Sequence, residues 1–98
     1  MNFVCFGGKV NVYTLNVGDG WEVVVSVNTE GFDGAVDVFQ VLRDRGFDEY
    51  DNADGRKVKV FAKPVDVEER VEVATNLSVD IVKAVRSRKE VQCNINIM

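Results

Sequence analysis

The sequence runs to 98 residues, is 46% hydrophobic, carries a formal charge of -4 at pH 7 and contains no histidine. That length suits a single domain, 1–98, with a modest core. The absence of histidine excludes His-based acid–base catalysis, triads and His-ligated metal sites. No apolar run approaches the ~18 residues needed to span a bilayer, and the start lacks the basic and apolar regions of a secretory signal, so the expectation is a soluble cytoplasmic protein with no membrane contact. Charge is uneven along the chain, -7 over residues 1–55 and +3 over 56–98, a polarity able to orient a partner.

Taken in order, residues 2–6 form a short apolar run stopped by Gly7-Gly8. Residues 9–17 then alternate, Val10 and Val12 on one face and Asn11, Tyr13 and Leu15 on the other, which predicts an N-terminal β-hairpin. Gly18-Asp19-Gly20 is a second turn. Residues 21–28 resume as a strand with Val23, Val25 and Val27 opposed to Glu22, Val24, Ser26 and Asn28, the pattern of a sheet wet on one side.

Asp33 is the expected N-cap of a first helix. Ala35, Val36, Val38, Phe39 and Leu42 keep helical spacing up to Gly46, which suits the left-handed position past a helix end. Residues 47–52 and 56–63 read as two strands joined at Asp54-Gly55, and Pro64 ends the second. Residues 65–89 carry competing patterns. A strand reading puts seven apolar residues on odd positions but misplaces Ala74 and Val82, and no turn interrupts it. A helix reading gathers Val67, Val71, Ala74, Leu77, Ile81, Val82, Ala84 and Val85 on one side. Burying a valine returns about 1.5–3 kcal/mol against a propensity cost of up to about 0.7, so one long helix is expected. Residues 90–98 close the chain as a strand, with Val91, Cys93, Ile95 and Ile97 inward.

From residue 21 onward the order is strand, helix, strand, strand, helix, strand. The expected fold is therefore α+β, a two-layer sandwich with a ferredoxin-like βαββαβ core (about 21–98), both helices on one face of a mainly antiparallel sheet, and an N-terminal β-hairpin extension. The hairpin raises a difficulty, since the first core strand is central and already has two neighbours. Either the order varies or the last strand lies elsewhere. Cys5 and Cys93 are expected to be reduced and buried; the alternative is a bridge between them, which would close a loop long enough to contribute about 4–5 kcal/mol.

Chemical motifs are sparse. Two distant cysteines are too few for a Cys-only zinc site, and neither a Walker phosphate loop nor a dinucleotide fingerprint occurs. Asp48, Glu49, Asp51, Asn52 and Asp54 suggest calcium, but aligning Gly55 with the invariant EF-hand glycine puts Tyr50 at the first ligand position and Phe61 at the bidentate one. A solvated hairpin tip is the better reading. The loop at 28–34 resembles the place where ferredoxin-like regulatory modules such as ACT domains hold an amino acid. Its glycines are explained as well by the turn into the helix. No catalytic residue, metal or cofactor is expected.

If Val58 and Val60 face the helices, then Lys57, Lys59, Phe61 and Lys63 face away, beside Asn94 and Asn96. That would offer an open surface of cations and amides around an aromatic. Trp21 and Tyr50, at element ends, add anchors of the kind found at interfaces. The leading expectation is a small non-enzymatic module acting by protein–protein contact, as accessory, regulatory or inhibitory factors do. A homodimer through an edge strand is one form of it, and a viral or phage origin suits the size. The alternative is single-stranded nucleic-acid binding on the lysine-bearing face.

Overall fold

The computed structural model describes residues 2–50, 57–85 and 93–96. Its elements are β1 (Asn2–Cys5), β2 (Val10–Asn16), β3 (Trp21–Asn28), α1 (Ala35–Asp44), β4 (Asp48–Tyr50), β5 (Val58–Val65), α2 (Arg70–Val85) and β6 (Cys93–Asn96). The strands form one sheet in the order β4-β5-β3-β2-β1-β6, and every neighbouring pair is antiparallel.

The strand order resolves the difficulty posed by the N-terminal hairpin. In a ferredoxin-like sheet the last strand would adjoin β3, but here β2 and β1 stand between them. The cause is local. A tight turn, closed by Val17 N–H to the Gly20 carbonyl at 2.9 Å and Gly18 N–H to Asn16 Oδ1 at 2.8 Å, commits β2 to the side of β3 that the last strand would take. The Gly7-Gly8 turn then lays β1 beside β2, and β6 pairs with β1. The hairpin is an insertion into the sheet, not an extension at its rim.

Both helices pack on one face. Val10 and Val12, Val23, Val25 and Val27, Phe3 and Cys5 from the strands join Val38 and Leu42 of α1 and Ala74, Leu77, Ile81 and Val85 of α2 in one buried cluster. The alternation expected of β2 and β3 is observed, because cross-strand partners Val10↔Val27 and Val12↔Val25 must share a face.

α1 ends as its sequence predicts. Gly46 takes φ +80°; its N–H bonds the Arg43 carbonyl at 3.0 Å, and Phe47 N–H bonds that of Leu42 at 2.9 Å. This is a Schellman closure, with Phe47 and Leu42 both in the core. The start differs from expectation, since the N-cap position belongs to Gly34, with no side-chain cap. A Cβ at Gly34 would come within 2.5 Å of a Val85 methyl and 2.9 Å of the Phe32 ring. The residue is selected by close packing of the helix start against the end of α2. Val36, expected on the inner face, is exposed.

The second helix is shorter than its pattern suggested. Residues 58–65 belong to β5 and 66–69 turn, so α2 begins at Arg70; positions 86–89 lie outside the described residues. Pro64 sits within β5, opposite Glu22. β4 pairs no further than Ala62, so beyond that point β5 has a neighbour on one side only and a missing N–H breaks no ladder there. The inner face is the expected one, with Ala74, Leu77, Ile81 and Val85 buried. Ser78, which the spacing places among them, is buried too and donates its hydroxyl to the Ala74 carbonyl at 2.8 Å, which removes the cost of burying it; Val67, before the helix, and Val71, in its first turn, are exposed.

Cys5 is 1% exposed and disulfide-bonded. This corrects the expectation of reduced thiols. Cys93 is the only other cysteine in the sequence and stands directly opposite Cys5 in the β1–β6 register. The topology that moved β6 away from β3 is what brings the two positions together.

Candidate interaction face

The side of the sheet away from the helices is fixed by the registers. Val25 pairs with Phe61, Val23 with Lys63 and Val27 with Lys59, so Lys59, Phe61 and Lys63 share the helix side. This reverses the expected orientation of β5. Phe61 is fully buried, its ring 5.5 Å from that of Phe39 on α1. Burying one phenylalanine returns more than burying Val60 or Ala62, and the flanking lysines reach past the core with their stems. Lys63 Nζ donates to the Arg45 carbonyl at the end of α1 (2.7 Å) and lies 6.0 Å from the centre of the Phe47 ring. Lys59 pairs with Glu49 at 3.3 Å, and Lys57 with Glu30 at 3.1 Å.

The open side therefore carries Val58, Val60, Ala62 and Pro64 of β5 with Glu22, Val24, Ser26 and Asn28 of β3. Asn11, Tyr13 and Leu15 of β2, Asn2 and Val4 of β1, and Asp48 and Tyr50 of β4 complete it. Asn94 and Asn96 occupy register positions opposite Val4 and Asn2. One row runs Asp48, Ala62, Val24, Tyr13, Asn2, and the next runs Tyr50, Val60, Ser26, Asn11, Val4. Val24 and Ala62 are buried within it, 4% and 2% exposed, although no helix of the described residues packs on this side. Tyr50 donates its hydroxyl to Glu22 Oε2 at 3.0 Å. The registers set that bond across the row of Ala62, the smallest side chain on the face. The Glu22 carboxylate, with a smaller contribution from Asp48, raises the Tyr50 pKa above its ordinary 10.0.

Of the residues singled out from sequence, only Tyr50, with the positions of Asn94 and Asn96, falls on this side. Trp21 lies at the sheet's end under the Arg70 guanidinium, 4.6 Å from the ring centre, and Arg70 also donates to the Val67 carbonyl. The sequence reading passed over Tyr13, Val24, Val60 and Glu22 as site residues. The alternation of β2 and β3 had already put Tyr13, Val24 and Glu22 on the outer face, so their signal was present. For Val60 the signal was the bulk of its neighbour Phe61.

Two other places were candidates. The loop at 28–34 is filled by its own bonds: Glu30 N–H to Asn28 Oδ1 (3.0 Å), Thr29 to the Lys57 carbonyl (2.8 Å), Lys9 to the Glu30 carbonyl (2.6 Å), and Phe32 against Phe6. A cleft of about 400 Å³ between the β2–β3 turn and the start of α2 is lined by Asn16, Asp19, Trp21 and Asp66 among others. Its carboxylates have no basic side chain among the lining residues. Of the acidic cluster expected at the hairpin tip, 51–54 lie outside the described residues. Among the described residues no group of three or more His, Cys, Asp or Glu side chains could hold a metal, and no helix is long and apolar enough to cross a membrane.

No family model, curated protein or solved structure matches this chain.

Proposed function

We propose that this protein is a non-enzymatic binding module that acts by contact with another protein through the open side of its sheet. The observation that carries the reading is the composition of that side. Val4, Tyr13 and Val60, partly exposed, and Tyr50 and Leu15, exposed, lie over the buried Val24 and Ala62 among the polar Asn2, Asn11, Glu22, Ser26, Asn28 and Asp48, and no helix of the described residues packs there. Partly exposed apolar side chains and tyrosines among uncharged polar ones are features of protein interfaces.

Nucleic-acid binding loses three of the residues that motivated it. Lys59, Phe61 and Lys63 are on the other side, and each lysine has a protein partner. Edge pairing of two copies through β4 is also disfavoured, since neighbouring strands would bring Asp48 and Glu49 of each copy together. Because disulfides persist mainly where thiols are not kept reduced, the state of Cys5 argues against the cytoplasmic placement expected from sequence.

The test is photo-crosslinking in the native host with a benzophenone amino acid at Tyr13, and at Val71 on the exposed side of α2 as a control. A discrete crosslinked protein from position 13 and none from 71 supports the reading. Crosslinking from 71 alone, or from neither, overturns it.

A further inference from the structure

We infer that the partner of the open face is a protein segment presenting arginine or lysine among apolar side chains. This rests on the contact reading above and adds the chemistry of the occupant.

The charges of the described residues are sorted by side. Lys59 and Lys63 of β5 are on the helix side of the sheet, Lys9 and Lys57 are bonded to Glu30 in the loop before α1, and Arg43, Arg45, Arg70 and Lys83 belong to the helices and their ends. Of the described positions on that side only Lys9, opposite Asn28, is basic, and its ammonium is taken by the Glu30 carbonyl, while Glu22 and Asp48 are both there. The -7 of the first 55 residues thus has two of its carboxylates on this side of the sheet, and among the described residues neither is in an ion pair.

Such a face discriminates by sign. A phosphate backbone or an anionic membrane would meet Glu22 and Asp48 with like charge, and a second copy would bring two more carboxylates to the same place. An incoming guanidinium or ammonium meets both carboxylates, and Tyr50 and Tyr13 supply ring faces that attract cations. Glu22 is already oriented by Tyr50, so less freedom is lost when a cation binds it.

The experiment is selection of a random displayed 12-residue peptide library on the immobilised protein, keeping only binders that fail on a Tyr13→Asp variant. Those binders are expected to be enriched in arginine and lysine alongside aliphatic and aromatic residues. They should bind a Glu22→Gln, Asp48→Asn double variant at least tenfold more weakly and weaken with added salt. Face-dependent binders that are neutral or acidic, or that bind the double variant unchanged, overturn the cationic partner and leave the contact reading standing. A library yielding no binder sensitive to Tyr13→Asp overturns both. The unfolding midpoints of the variants, expected to stay near that of the parent, separate lost recognition from lost folding.

Discussion

Tyr50 and Glu22 show how one bond on an exposed strand can be read in solution. The phenol donates to a carboxylate, so ionising it would place two negative charges together, and its pKa is raised chiefly for that reason. Because the folded value lies above the unfolded one, the contribution to stability is complete below about pH 10 and is lost as pH rises through the folded pKa. In a Tyr13→Phe variant, which leaves Tyr50 as the only tyrosine, absorbance at 295 nm should titrate above 10, and adding Glu22→Gln should bring it back toward 10. Phe61 is the opposite case, a residue whose effect is packing alone. Phe61→Ala should destabilise by about 3–5 kcal/mol in urea denaturation. An open-face Phe61 would lose far less.

Among the elements, the start of α1 and the end of α2 meet closely at Gly34. Gly34 leaves no room for a methyl group between Phe32 and Val85, and the Val85 methyl that obstructs it is held on a helix. Gly34→Ala is expected to cost about 1–3 kcal/mol by overpacking, seen as a lower midpoint with an unchanged urea slope. A ligand-binding glycine would instead leave stability nearly intact. α2 shows that a helical pattern gives the element and its inner face but not its start: Ala74, Leu77, Ile81 and Val85 are buried as spaced, whereas Val65 belongs to β5 and Val67 to the turn before the helix. Ser78 sits on the inner face at little cost because its hydroxyl has the Ala74 carbonyl within reach.

For the whole molecule, the inserted hairpin has a mechanical consequence. Strand β6 is held on the far side of β1 and, among the described residues, pairs with no other strand. The disulfide at Cys5, with Cys93 opposite, closes nearly the entire chain. In the chain-entropy view, opening so long a loop removes up to about 4–5 kcal/mol. Guanidinium unfolding with and without a thiol reductant should show a loss of that order, and Cys5→Ala should reproduce it and abolish the reductant's effect. Equal stability in both conditions would contradict a structural role for the disulfide.

The local patterns were sufficient for the elements themselves. Alternation in β2 and β3 depends only on the period-2 geometry of a strand. The end of α1 depends on a glycine that can take positive φ, and the helical character of α2 on the absence of a turn and the placing of Ala74, Leu77, Ile81 and Val85. Three things depended on tertiary structure. The face of β5 was ambiguous because Val58, Val60 and Ala62 compete with Phe61, and only pairing with β3 and packing against Phe39 decide that competition. The strand order followed from a turn that took one side of β3 before the last strand could. The disulfide at Cys5 followed in turn, because residues far apart in sequence become neighbours only once the sheet has chosen its order.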